Sequence, residues 1–126
     1  MNHNIIIPTS LSPRPKPHEE SAAIILSKYF NADVYFLETS NYETPDISIK
    51  GIKWEMKSPQ GDGKNNIQKN IREASHQSCN IVIDLRRSKL HQPRAIGYIK
   101  QSLLNRPNTV KRLLIITKSN KVVAVK

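Results

Sequence analysis

The stretch TPDISIKGIKWEMKSPQG, residues Thr44–Gly61, decides the fold because two short apolar runs flank Lys50 and Gly51 near its centre. A two-residue turn between strands needs positive φ angles, which glycine adopts without steric cost. With such a turn, Ile49 faces Ile52, and each further pair lies one residue farther out on both strands. The stretch therefore predicts a β-hairpin with a fixed register.

Side chains alternate between the two faces of a hairpin. One face receives Ile47, Ile49, Ile52, Trp54 and Met56, and the other receives Asp46, Ser48, Lys53, Glu55 and Lys57. In this register Asp46 lies directly opposite Glu55, with Cβ atoms about 5 Å apart, where like charges repel. A divalent cation relieves the repulsion, because Mg²⁺ binds one or two carboxylates together with waters and phosphate oxygens. Lys57 falls on the same face, within reach of a phosphate or an attacking water.

The alternative is a solvated polar face, on which Asp, Ser, Lys and Glu are ordinary residues. Three features favour a functional site that binds a cation and a phosphate. Glu19 borders the apolar stripe of the helix that precedes the hairpin, and the chain is basic. Gly61 and Gly63 follow the hairpin, where a closely approaching phosphate needs a small backbone.

The segments around the hairpin predict helices and strands that alternate along the chain. Apolar residues at helical spacing predict helices over 18–30, 66–78 and from Pro93 to about Asn105. Runs rich in β-branched and apolar residues predict strands over 33–38, 80–85, 112–117 and 121–125. The order is helix, three strands, helix, strand, helix, two strands. It predicts an α/β fold with a mixed β-sheet flanked by helices.

The segment PTSLSPRPKP, residues 8–17, contains four prolines in ten residues. Such a segment favours extended structure with few regular hydrogen bonds. We therefore expect residues 1–17 to form a proline-rich linker and residues 18–126 to form a single domain.

Composition points to a polyanionic partner. Twenty Lys and Arg against ten Asp and Glu give a net charge of +10, which favours nucleic acid or an acidic membrane surface. The single cysteine, Cys79, excludes an internal disulfide framework and a multi-cysteine zinc site. No apolar run approaches the ~20 residues of a membrane span, and the NIIIP start is too short for a signal-peptide core. We expect no membrane span and no export signal in this chain.

The hairpin sequence resembles that of a nuclease superfamily. PD at Pro45–Asp46, followed by EMK at Glu55–Lys57, resembles the PD-(D/E)xK nucleases, whose restriction-endonuclease-like core is a mixed sheet flanked by helices. Within that superfamily, residues 18–87 resemble the C-terminal nuclease domains of contact-dependent growth inhibition (CdiA-type) and related polymorphic toxins, several of which cut tRNA. The similar features are a glutamate opening the first helix, PDISI, WEMKSP, a helix running to REASHQS, and NIVIDL.

The resemblance implies roles for individual residues. Asp46 and Glu55 would bind Mg²⁺ or another divalent cation such as Mn²⁺ or Zn²⁺, and Lys57 would position or activate the nucleophile. Glu19 would be the helix-borne acid that completes the site, although Glu20 competes with it for this role. Two residues are expected to support the site: Gln77, in the position of a helical glutamine, and Ser58.

Basic residues after the hairpin are the expected phosphate contacts: Lys64, Lys69, Arg72, His76, Arg86, Arg87 and Lys89. Such contacts give affinity without sequence readout. Asp84 is expected to form a structural ion pair with the arginines that follow it. Few aromatic residues are free to stack on bases, which favours recognition of a folded nucleic acid by its shape.

The leading hypothesis is a metal-dependent endonuclease that cuts RNA, with tRNA as the expected substrate. The chain would be the C-terminal toxin module of a secreted or cell-surface bacterial protein, acting in the cytoplasm of a target cell. It would need an acidic immunity protein as its partner. The alternatives are a DNA endonuclease of the same superfamily and a non-catalytic basic RNA-binding module.

Overall fold

The computed structural model describes residues 3–38, 45–105 and 109–126, without the side chain of Lys64. These residues form one mixed sheet of seven strands and three helices, which confirms the predicted α/β class. The elements are, in chain order, β1 (Ile5–Ile6), α1 (Pro17–Phe30), β2 (Val34–Phe36), β3 (Ile47–Ile49), β4 (Ile52–Lys57), α2 (Lys64–Ser75), β5 (Asn80–Asp84), α3 (Gln92–Leu104), β6 (Arg112–Ile116) and β7 (Val122–Ala124).

The strands follow one another in the sheet in their sequence order. The β3–β4 hairpin has the predicted register, with Ile49 opposite Ile52. Lys50 and Gly51 both have positive φ angles, 52° and 79°, as a type I′ turn requires. Strands β4, β5 and β6 are parallel to one another, and α2 and α3 form the connections between them.

Two hydrophobic cores cover the two faces of the sheet. On one face, α1 packs through Ala23 and Leu26 onto a cluster that includes Ile47 and Trp54. On the other face, α2 and α3 pack with Ile81, Ile83 and further apolar residues of β5 and β6. All five residues of β5 are buried, as the continuous apolar run NIVIDL predicts.

The N-terminal segment is part of the folded body, contrary to the expectation that residues 1–17 form a linker. Ile5–Ile6 forms β1, which pairs in parallel with β2. The Asn4 carbonyl accepts the Val34 N–H at 3.1 Å, and Ile7 and Leu11 pack against the α1-side core. The three consecutive isoleucines bury apolar surface at this sheet edge, so the ordered chain begins well before Pro17.

No helix in the described part of the chain has both the length and the apolar character to cross a membrane.

Candidate active site

Asp46 is held by the backbone of β4 and by the backbone of Leu37, which follows β2. Its N–H donates to the Trp54 carbonyl at 3.1 Å, and its Oδ2 accepts the Met56 N–H at 2.9 Å. Its carbonyl accepts the Leu37 N–H at 2.9 Å. The regular β3–β4 ladder begins one residue later, at Ile47 opposite Trp54. The expected direct pairing of Asp46 with Glu55 is therefore wrong in detail, because the Asp46 side chain binds the strand backbone where the ladder would have continued.

The Asp46 and Glu55 carboxyl groups nevertheless meet, and they share a hydrogen bond. Glu55 is only 3% exposed, and its Oε1 is buried without a hydrogen-bond partner. Burial, followed by the charge of Asp46, raises the pKa of Glu55 to about 9. Burial also raises the pKa of Asp46, although hydrogen bonds from Glu55 and the Met56 N–H oppose the shift. The pair therefore holds a proton at neutral pH in the absence of a cation.

Lys57 lies beside this pair, as the alternation along β4 predicts. Its Nζ is 3.6 Å from Glu55 Oε2 and 3.9 Å from Glu73 Oε2. Glu73 Oε1 is in turn 4.0 Å from Lys69 Nζ, one helical turn earlier on α2. Glu73 is not among the residues predicted for the site, although its spacing of four residues from Lys69 on a helix indicates an ion pair. The ammonium group of Lys57 is thus fixed between a buried carboxyl and a half-exposed one.

Glu19, and not Glu20, borders the site. Glu19 Oε1 accepts the Lys16 N–H at 2.8 Å, which caps the start of α1, whereas Glu20 is exposed. The charge of Glu19 contributes to the raised pKa of Asp46, so the two acids are neighbours. Among the described residues, however, no group of three or more His, Cys, Asp or Glu side chains is arranged to hold a metal ion. The arrangement is an acid pair with Glu19 beside it.

Two cavities open next to the acids, and the N-terminal segment forms a wall of both. The larger, about 390 Å³, is the candidate for a catalytic cavity and is called the catalytic cavity below; it is lined by Pro13, Lys16, His18, Glu19, Ala22, Met56, Lys57, Ser58, Asp84 and Arg87. The smaller, about 170 Å³, shares Pro13, Lys16 and Glu19 with it and also contacts Asp46. Ser58 Oγ is buried without a hydrogen-bond partner, so it is available to a group that enters the catalytic cavity.

The two arginines after β5 have different environments. Arg86 binds both carboxylate oxygens of Asp84, at 2.9 and 2.8 Å, and also the Ser21 hydroxyl and the His18 carbonyl. It ties the end of β5 to α1, and its expected role as a phosphate contact stays a prediction. Arg87 lines the catalytic cavity, with Nη1 at 2.6 Å from His18 Nδ1. Burial and the Arg87 charge lower the pKa of His18.

The remaining predicted residues lie on or after α2. Lys69, Arg72 and His76 are exposed there, and the side chain of Lys64 lies outside the described part of the structure. Gln77 follows the C-terminus of α2 in a turn, where its N–H bonds to the Ala74 carbonyl. It is therefore not a helical residue, and its supporting role stays a prediction. Lys89 is exposed after β5.

Comparison with known proteins identifies the family. The family model described as the contact-dependent growth inhibition CdiA C-terminal domain matches residues 43–122. A solved CdiA-CT/CdiI toxin and immunity complex from Burkholderia pseudomallei has the same fold, with a TM-score of 0.70, 21% identity and 98% of each chain covered. No curated protein sequence matches the chain. The chain belongs to the CdiA C-terminal domain family, the toxin domains that contact-dependent growth inhibition delivers to target cells.

Proposed function

We propose that this toxin domain is a metal-dependent endonuclease that hydrolyses phosphodiester bonds in RNA, with tRNA as its expected substrate. The observation that carries the proposal is the buried Asp46–Glu55 pair with the Lys57 ammonium at 3.6 Å from Glu55. Family membership supports a toxic activity, and the net charge of +10 supports a polyanionic substrate.

A divalent cation fits the acid pair. Carboxylate oxygens are the ligands that Mg²⁺ prefers, and Glu55 Oε1 is a buried oxygen without a partner. Burial and the charge of Asp46 raise the pKa of Glu55 although Lys57 opposes the shift, and a bound cation would supply further positive charge in place of the shared proton. Asp46 and Glu55 would hold Mg²⁺, Mn²⁺ or Zn²⁺, with Glu19 as the neighbouring acid. When bound, such an ion stabilises negative charge on the phosphate and lowers the pKa of bound water.

The other residues of the catalytic cavity bind and orient the substrate. The Lys57 ammonium is held in place by Glu55 and Glu73, so it meets the developing charge on the scissile phosphate without reorganisation. Arg87 lines the same cavity and gives a positive contact for a phosphate oxygen. Lys16 lines it from the N-terminal segment.

An acidic immunity protein fits the basic surface of the toxin. The related Burkholderia pseudomallei toxin was crystallised in complex with its immunity protein CdiI. Complementary charge would speed capture of a domain with a net charge of +10. Glu55 is buried and would not touch such a partner directly. The contact would instead include exposed Lys69 and Arg72 or cover the catalytic cavity.

The direct test is to incubate the purified domain with total RNA and with plasmid DNA, in Mg²⁺ or in chelator. We expect cleavage of RNA in Mg²⁺ alone, with the tRNA fraction lost first. Glu55→Gln and Glu19→Gln should abolish cleavage, whereas Glu20→Gln, the exposed neighbour in the first turn of α1, should not. Cleavage of DNA alone would change the substrate class, and RNA binding without cleavage would make the domain a binding module.

A further inference from the structure

A third cavity, larger than the two described above, is separate from the acid pair. It is an open groove of about 690 Å³ between α1 and the turn that precedes β7. We call it the α1–β7 groove; its lining includes Ile24, Lys28 and Tyr29 from α1 and Asn120, Lys121 and Val122 from the β7 side. None of the roles assigned above uses these residues.

The groove combines exposed apolar surface with positive charge. Tyr29 is 48% exposed and Ile24 is 46% exposed, which is unusual for large apolar side chains on a helix that also packs on a core. Lys28 and Lys121 are exposed at the same groove, and none of the described residues lining it is acidic. A ligand that fits has a flat apolar part and an anionic part.

A nucleotide has both parts. The exposed ring of Tyr29 offers a stacking surface for a base, and Lys28 and Lys121 offer charges to the neighbouring phosphates. The Asn120 side-chain amide, which lines the same groove, has the donors and the acceptor that read a base edge. Stacking on a side chain needs a base that is not covered by its neighbours, so the matching nucleotide is unpaired.

The groove lies next to the catalytic cavity at two points. Ser21 lines the groove and the next residue, Ala22, lines the cavity. After β5, Arg86 lines the groove and Arg87 lines the cavity. One strand of nucleic acid in the catalytic cavity would reach Tyr29 by following α1 for about two turns beyond Ala22.

We propose that the α1–β7 groove binds an unpaired nucleotide of the RNA substrate, with its base stacked on Tyr29 and its phosphates at Lys28 and Lys121. This inference deepens the proposed nuclease function and rests on it for the identity of the substrate. Tyr29 would be one of the few aromatic residues that are free to stack on a base. The domain would thereby select sites where an unpaired nucleotide lies near the bond that is cut.

Binding measurements separate this proposal from catalysis. The protein carries Glu55→Gln throughout, so that no probe is cut, and binding is followed by fluorescence anisotropy. The probes are a fluorescein-labelled RNA duplex with a short single-stranded extension and the same duplex with blunt ends. Because no cleavage is required, loss of the nuclease proposal leaves this experiment intact.

We expect Tyr29→Ala to weaken binding of the extended duplex at least about fivefold, the lower end of what stacking of one base contributes. Binding of the blunt duplex should not change. Tyr29→Phe keeps the ring and should bind as the parent does. Lys121→Ala should reduce the salt dependence of binding to the extended duplex, because one phosphate contact is lost.

Matched controls come from the same chain. Tyr35 on β2 is 46% exposed and lines none of the cavities described above, so Tyr35→Ala should leave both probes unaffected. Lys100→Ala removes an exposed lysine from α3, on the opposite face of the sheet, and controls for net charge. Thermal melts of each variant check that the fold is intact.

Three results would overturn the proposal. The first is unchanged affinity of Tyr29→Ala for the extended duplex. The second is an equal loss with Tyr35→Ala or with the blunt probe, which would make the effect non-specific. The third is a loss of immunity-protein binding in Tyr29→Ala with RNA binding retained, which would make the groove a protein interface.

Discussion

The substitution Glu55→Gln should stabilise the metal-free protein at alkaline pH and leave its stability nearly unchanged at acidic pH. The pKa of Glu55 is about 9 in the folded protein, against an ordinary value of 4.5. Between these values the folded protein binds a proton that the unfolded chain has lost. The free energy of unfolding therefore falls as pH rises, by about 1.4 kcal/mol per pH unit for one proton.

The expected change in the free energy of unfolding follows from the pH range between the unfolded and folded pKa values of Glu55. The contribution of Glu55 is fully present below about pH 4.5 and is lost as pH rises towards 9. From pH 5 to pH 8 the loss in the wild-type protein reaches about 4 kcal/mol, or roughly 15 °C in melting temperature for a domain of this size. Glutamine stays neutral throughout, and its amide can donate to the Asp46 carboxylate in place of the shared proton. The variant should not show this loss.

Thermal unfolding followed by circular dichroism between pH 5 and pH 8, in chelator, measures the difference between variant and wild type. Glu20→Gln is the control, because Glu20 is exposed in the first turn of α1. The melting temperature of this variant should differ from that of wild type by the same amount at every pH. Addition of Mg²⁺ at pH 8 should raise the melting temperature of the wild type more than that of Glu55→Gln. The reasoning would be refuted if the difference in melting temperature between Glu55→Gln and wild type did not change with pH. It would also be refuted if Glu55→Gln were less stable than wild type at pH 8.

Two further predictions concern single cationic residues. Lys57→Met keeps much of the apolar stem, so RNA should still bind while the cleavage rate falls by orders of magnitude in single-turnover assays, and unchanged kinetics would remove Lys57 from the mechanism. Arg86→Ala leaves the buried Asp84 carboxylate unpaired and should lower the free energy of unfolding in urea by about 3–5 kcal/mol. Arg87→Ala should instead weaken RNA binding with little change in stability, and the reverse ranking of the two arginines would contradict their assignment.

The hairpin was predictable because its signals are local. The Lys50–Gly51 turn and the alternation around it fix the register within a few residues, and the structure has that register.

The first strand was not predictable in the same way. Ile5–Ile6 is too short to show a period, and its strand character depends on β2, which lies far along the chain. Its three isoleucines indicated burial but not a partner.

The acid pair was predictable as a pair but not in its geometry. Alternation places Asp46 and Glu55 together, whereas the bond from the Met56 N–H to Asp46 depends on how the chain enters β3. The different environments of the two adjacent arginines were also not predictable from the sequence. Arg86 and Arg87 cannot be distinguished there, whereas in the fold Arg86 binds Asp84 and Ser21 and Arg87 lines the catalytic cavity.

The chain contains two carboxylate arrangements with opposite electrostatic character, and the contrast bears on the role of the acid pair. Asp84 is matched by Arg86 at 2.8 Å, so the buried charges attract and removal of one partner should destabilise the fold. Asp46 and Glu55 carry like charges only when both are ionised, so replacement of Glu55 by glutamine should stabilise the metal-free fold at alkaline pH. A loss of about 4 kcal/mol at pH 8 is large against the 5–15 kcal/mol that typically separates folded from unfolded domains. A pair that weakens the fold when it ionises is what we expect of the divalent-cation site proposed above, where the cation takes the place of the proton.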